Sequence, residues 1–287
     1  MTKPPNDRLL ELIARVPPLD EQALDASRQR QDRLTKPPGS LGRLERLATQ
    51  LAGITGVARP RLPRKAVIVM AADHGVTREG VSAYPAQVTA QMVMNFASGG
   101  AAINVLARQA GARVIVVDIG VAADLPADLP IVHRKVAFGT QNLAAQAAMT
   151  EPQALEAIGV GAEILMSEAD FGLDVVRLGE MGIGNTTAAS AIVAALVAVE
   201  LCPRVRCFLI AAHRSVEVGH RAALERLELE PLVALDLRLG EGSGAALVLP
   251  MLDAAVALLD EMATFDEAGI APKISAPACA PSPLDAI

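Results

Sequence analysis

The run Ala66-Val67-Ile68-Val69-Met70-Ala71-Ala72 contains no polar side chain. A strand with one wet face alternates apolar and polar residues. A strand without alternation is buried on both faces, which calls for helices above and below a mainly parallel sheet. The run ends in Asp73-His74-Gly75, polar groups at a strand's carboxyl end, and ligands of open α/β sheets bind at that edge. A second strand, Arg113-Val114-Ile115-Val116-Val117-Asp118, also ends in an aspartate. Hydrophobic residues make up 52% of the chain but aromatic ones only 2%, so the core is built from Ala, Leu, Val and Ile. Together with 22 glycines this composition suits helices packed closely on a parallel sheet, and the expected class is α/β.

Around these strands the chain divides by pattern. Residues Asp7–Val16 and Asp20–Leu34 read as helices, Pro17-Pro18 ending the first. After the turn signal Lys36-Pro37-Pro38-Gly39-Ser40, Leu41–Ile54 returns to helical spacing. Helices are expected at Gln87–Ala97, Ala101–Ala110 and after the N-cap Thr150, with a short strand at Ile131–Val136. Val175–Leu178 reads as a strand, Ala188–Glu200 as a helix and Leu232–Leu239 as an alternating strand. Val205–Ala212 fits strand or helix equally. Ala245–Met262 reads as one long apolar helix, and 271–287, rich in Pro, Ala and Ser, as a disordered tail.

A net charge of −6 and the scarcity of aromatic rings argue against a nucleic-acid surface. No uninterrupted apolar run is long enough for a membrane span, and Met1–Asp7 lacks the apolar core of a signal peptide. Three cysteines, an odd number, fit a reducing cytoplasm.

One motif occurs twice: Arg177-Leu178-Gly179-Glu180-Met181-Gly182-Ile183-Gly184-Asn185-Thr186-Thr187 and Arg238-Leu239-Gly240-Glu241-Gly242-Ser243-Gly244. Each places a glutamate after Arg-Leu-Gly, then glycines and small polar residues, then an apolar helical segment. Glycines before a helix expose N–H donors at its positive end, a setting for phosphate or another anion. A carboxylate repels an anion, so the pairing fits a ligand that is anionic at one end and cationic or proton-donating at the other. A nucleotide whose base departs as the sugar gains positive charge has that character. No lysine follows the glycines, so this is not a Walker loop, and no Mg²⁺ or other cofactor is called for.

Other candidates carry two readings. Glu241, between glycines, is either a poorly solvated base with a raised pKa or an exposed loop residue. Asp73-His74 is either a metal or catalytic pair or a hydrogen-bonded cluster at the strand end. Tyr84 either stacks on a flat base or packs. Cys202 and Cys207 lack a partner pair for zinc, and His213 and His220 lack metalloprotease spacing and read as structural.

With Leu34-Thr35-Lys36-Pro37-Pro38-Gly39-Ser40-Leu41-Gly42, Ala72–Val76, Tyr84-Pro85, Ser98–Asn104 and Ala211-Ala212-His213-Arg214-Ser215, the twin motifs resemble the nicotinate-nucleotide–dimethylbenzimidazole phosphoribosyltransferases from about Asp20 to Gly269. The resemblance implies transfer of phosphoribosyl from nicotinate mononucleotide to 5,6-dimethylbenzimidazole, giving α-ribazole 5′-phosphate and nicotinate for the cobalamin lower ligand. It also implies a homodimer with a large Rossmann-like domain and a small helical domain from both chain ends. The corresponding division is 1–64 and 245–270 for the small domain, 65–244 for the nucleotide-binding domain and 271–287 for the tail. Glu241 matches the family's general base and Glu180 a second glutamate near the sugar. Gly182, Gly184, Asn185, Thr186 and Thr187 match the nucleotide loop, with Leu239, Gly240, Gly242 and Ser243 at the second corner. Tyr84, Pro85, Gln91 and Met92 fall in the benzimidazole-pocket region.

The chain departs from the family pattern in one place. Ala191-Ile192 runs almost directly into Ala194–Pro203, where the resemblance implies an intervening segment with a glycine-rich loop, a lysine near the nucleotide and central strands. An internal deletion after Ile192 is expected, and with it the alternative of a catalytically inactive form that only binds nucleotide or dimerises.

Overall fold

A computed structural model of the chain describes residues 11, 13–189 and 203–270. Half of the expected first helix, the body of the Ala188–Glu200 helix, Cys202 and the 271–287 tail lie outside these residues. The chain divides into two compact units, one from 1–19 and 61–253, the other from 20–60 and 254–287.

In the larger unit, four described strands form one parallel sheet: β1 (Lys65–Ala72), β2 (Ala112–Gly120), β3 (Val132–His133) and β4 (Val175–Met181), in the order β3-β2-β1-β4. β1 pairs with β2 from Lys65↔Ala112 and with β4 from Lys65↔Val175 to Ala71↔Met181. Both faces of β1 are covered, as its unbroken apolar run requires. Val67, Val69 and Ala71 pack with Val93 and Phe96 of one helix (Val88–Ala97) and Ile103 and Ala107 of another (Ala102–Gln109). On the other face Ile68 and Val117 meet Val160 and Ile164 of a long helix, Glu151–Asp170. Thr150 caps that helix in a reciprocal box with Gln153.

In chain order the helices are α1 (Glu21–Arg33), α2 (Arg43–Thr55), α3 (Val88–Ala97), α4 (Ala102–Gln109), α5 (Glu151–Asp170), α6 (Val218–Leu227), α7 (Ser243–Ala246), α8 (Leu249–Glu261) and α9 (Phe265–Ala268). In the smaller unit Asp20 caps α1 by accepting from the Ala23 N–H at 2.8 Å. Leu24 lies so close to Gly53 of α2 that a methyl there would come within 2.6 Å of it. Arg30 donates to the carbonyls of Leu259, Asp260 and Met262 at the end of α8. Lys36 is buried and held by Glu45 at 2.8 Å.

Three expectations change. Leu232–Leu239 forms no strand: it makes a single parallel bridge, His213↔Val233, and Asp236 takes a positive φ of 55° that breaks the extended run. With no sheet strand beside it, its alternation has nothing to register against. Val205–Ala212 is neither a strand nor an α-helix: a 3₁₀ turn, Pro203–Phe208, leads into irregular chain. The long helix divides into α7 and α8, interrupted at Leu247-Val248 just ahead of Pro250. By length and composition alone Ser243–Glu261 could cross a membrane, although Asp253 and Asp260 interrupt its apolar run. Half of its most apolar window is buried within the protein, and Leu249 and Leu259 are fully enclosed, as in a core helix.

Candidate active site

β4 carries Glu180 to the carboxyl end of the sheet, opposite Met70 of β1. The chain then turns through Gly182 and Gly184, and residues 185–189 are helical. At Gly182 a side chain would collide with the Ala72 carbonyl oxygen and the His74 ring. Gly184 has φ +85°, and a Cβ there would press on Thr77 at 3.1 Å. The Ile183 N–H donates to the buried Thr89 hydroxyl of α3 at 3.1 Å, tying the loop to the helix layer. The Asn185 side chain accepts from the Thr186 N–H at 2.7 Å.

The second corner is tighter. Gly240, Glu241 and Gly242 are all left-handed, with φ of 80°, 60° and 80°. For a glutamate this is uncommon and strained backbone, of the kind that clusters at functional sites. The Glu241 N–H donates to the Glu180 carbonyl at 3.2 Å. Gly179 permits this approach, since a Cβ there would stand 2.5 Å from the Glu241 carbonyl oxygen. A Cβ on Gly240 would lie 2.9 Å from Glu180 Oε1. Ser243 closes the turn, its N–H and hydroxyl both donating to the Gly240 carbonyl.

The two carboxyls differ in setting. Glu241 is 5% exposed, and its Oε2 is buried without a hydrogen-bond partner. Burial raises its pKa, opposed by a hydrogen bond from the Ile103 N–H. Glu180 keeps solvent contact along an open groove. Yet the protein crowded around its carboxyl, and then the charge of Glu241, push its pKa up to about 7. A carboxyl near 7 beside a second one raised by burial is equipment for proton transfer and for stabilising positive charge on a sugar.

The groove encloses about 500 Å³. Of the residues singled out in the sequence, Glu180, Asn185, Thr186, Leu239, Gly240, Gly242 and Ser243 line it, and Glu241 is buried between two of them. Gly182, Gly184 and Thr187 do not line it. Tyr84, Pro85, Gln91 and Met92 are not on it either: Tyr84 is 67% exposed and Met92 packs against the core. They belong to the loop and helix that contact the glycine loop through Val81 and Thr89. Asp73 accepts from the Ala122 N–H at 2.7 Å, and its carbonyl accepts from Thr140. That is the strand-end cluster reading. Burial pushes the pKa of His74 down against the pull of Asp73.

Sequence reasoning missed Arg177, Ser215 and the two histidines as groove residues. His213 and His220, read as structural, both line it, and burial lowers the pKa of each. Arg177 stood inside the repeated motif, and its distance from Glu180 was the available signal.

A phosphoribosyltransferase family model (DBI_PRT) matches the chain in two stretches, residues 16–196 and 191–270. A nicotinate-nucleotide–dimethylbenzimidazole phosphoribosyltransferase of Chloroflexus aggregans is 45% identical over 347 residues, spanning 92% of this chain and 98% of that protein. One of Roseiflexus sp. is 44% identical across 93% of this chain and 99% of its own length. The crystal structure of such an enzyme from Thermus thermophilus superposes with a TM-score of 0.85 at 38% identity, covering 89% of this chain and 100% of that one. The alignment to the Chloroflexus protein is longer than the 287 residues of the chain itself, so the relative carries residues with no counterpart here. The two family-model stretches meet at 191–196, where the sequence motifs located a missing segment. This chain belongs to the nicotinate-nucleotide–dimethylbenzimidazole phosphoribosyltransferase family.

Proposed function

We propose that the chain transfers the phosphoribosyl group of nicotinate mononucleotide to 5,6-dimethylbenzimidazole, releasing nicotinate and forming α-ribazole 5′-phosphate for the cobalamin lower ligand. The observation that carries this reading is the main-chain bond that joins Glu180, on the groove, to Glu241, buried between the groove-lining Gly240 and Gly242. Glu241, with its raised pKa, takes the benzimidazole N–H proton as the other ring nitrogen attacks the anomeric carbon. Attack opposite the departing nicotinate inverts that carbon to the α-configuration. Glu180 in its ionised form offsets the positive charge that develops on the sugar. Asn185, Thr186, Gly240, Gly242 and Ser243 hold the nucleotide, with Gly182, Gly184, Thr187 and Leu239 shaping the corners. Tyr84, Pro85, Gln91 and Met92 border the acceptor base from outside the groove lining, on the loop and helix behind the first glycine corner. The enzyme works as a homodimer in the cytoplasm.

Incubating purified protein with both substrates and resolving products by chromatography tests this: α-ribazole phosphate and nicotinate form in equal amounts. A second reading, a form that binds nucleotide or dimerises without catalysis, is favoured by the residues its relatives carry and it lacks. Nucleotide binding without product would establish that reading and exclude the first.

A further inference from the structure

β4 sits at the edge of the described sheet. Val175-Val176-Arg177-Leu178-Gly179-Glu180-Met181 contains no proline or lysine, and its pairing with β1 runs without a bulge. Those are among the devices by which natural edges discourage further pairing, and charge, another, is present only at Arg177 and Glu180. Because the Glu180 carbonyl accepts from Glu241, outside β1, the alternation of a strand also turns the backbone groups of Leu178 and Val176 away from β1. Among the described residues these outward groups of Val176 and Leu178 meet no backbone partner. Leu178 is 72% exposed.

Arg177 adds a second, independent mark. It lines the groove, and burial brings its pKa down to about 10. No described residue forms an ion pair or hydrogen bond with its side chain. A largely buried cation without a counter-charge is costly. It becomes favourable once a carboxylate arrives to form the paired hydrogen bonds that a guanidinium offers.

We propose that the Val176–Leu178 end of the groove beside β4 is a strand-acceptor site, distinct from the Glu180–Ser243 end assigned above to the nucleotide: it takes one extended segment of a second polypeptide, lying along Val176–Leu178 and presenting a carboxylate to Arg177. A second copy of the folded chain does not fit. The groove's far wall is the chain's own Ile210–His213 segment, so the space is closed on both sides. The β4 of another copy is held by its own β1 along one edge and walled by its own Ile210–His213 along the other. A free extended peptide has neither constraint, and main-chain bonding to an open sheet edge is a general mode of peptide capture. Relatives supply the right kind of occupant internally. Their extra residues fall after β4 and the helix that follows it, where a right-handed crossover would return the next strand to the side of β4.

The test uses the full chain and peptides tiled across the stretch of the Chloroflexus aggregans relative that aligns to no residue of this chain. Amide hydrogen exchange at Val176–Glu180 is followed by mass spectrometry, with thermal unfolding in parallel. At least one tile is expected to slow exchange there tenfold or more and to raise the melting temperature, while its scrambled version does neither. Arg177→Met should weaken that binding tenfold or more without lowering the melting temperature of the free protein. Protection by no tile, or protection unchanged by Arg177→Met, overturns the proposal. Protection that instead rises with protein concentration alone would assign the edge to self-association and overturn it too.

Discussion

The backbone N–H of Glu241 donates to the carbonyl of Glu180 across 3.2 Å, so a main-chain bond fixes the spacing of the two acidic residues. Side-chain flexibility therefore does not decide whether the two corners meet. The left-handed turn at Gly240–Gly242 and the bare Cα of Gly179 decide it.

Glu241→Gln keeps the shape and removes the base. The turnover number should fall by about 10²–10⁴-fold, the range for loss of a positioned general base, with little change in KM for nicotinate mononucleotide. Steady-state kinetics of product formation reads this directly. A variant turning over at the wild-type rate would assign the proton to another group.

The raised pKa of Glu180 predicts a pH dependence with a definite sign. Folded, this carboxyl titrates near 7; unfolded, near 4.5. The folded state holds the proton more tightly, so its contribution to stability is complete below pH 4.5 and is lost as pH rises through 7. Glu180→Gln removes the ionisation. Its melting temperature relative to wild type should climb steadily between pH 4.5 and 7, by scanning calorimetry. A constant difference across that window would mean that Glu180 titrates normally.

Gly179→Ala places a methyl 2.5 Å from the Glu241 carbonyl oxygen, and that neighbour is backbone. The Glu241 turn must shift. The expected cost is about 1–3 kcal/mol in urea unfolding, with a loss of activity out of proportion to the loss of fold. Equal activity at reduced stability would show that the turn can move without harm.

In the smaller unit, Lys36 is buried against Glu45. Burial alone would raise the pKa of Glu45. The hydrogen bonds from Lys36 and the Leu41 N–H outweigh it, and the net shift is downward. The stability it contributes is therefore present above pH 4.5 and lost as pH falls below that value, opposite in sign to Glu180. Glu45→Ala strands a buried ammonium and should cost about 3 kcal/mol in denaturant unfolding. Lys36→Met with Glu45→Ala should recover most of it. No recovery in the double variant would place the loss in packing.

Much of this protein is set by local sequence. The unbroken apolar run of β1 demands a sheet covered on both faces, and Thr150 with Gln153 starts α5 through bonds within one turn. The glycines at 182, 184, 240 and 242 mark the two corners because only a residue without a side chain fits those backbones easily. The family is legible for the same reason, as its motifs lie where a local backbone demand meets a chemical one. Tertiary structure decided the rest. Leu232–Leu239 alternates like a strand, but alternation is productive only beside a partner edge, and here it obtains one bridge. Arg177 looks in sequence like its twin Arg238; its position in β4 buries it with no counter-charge among the described residues, while Arg238 remains exposed. That Glu241 is enclosed and pressed against Glu180 depends on residues far apart in the chain being brought to one strand end. Burial and proximity shift an acid's pKa, and no short stretch of sequence contains either.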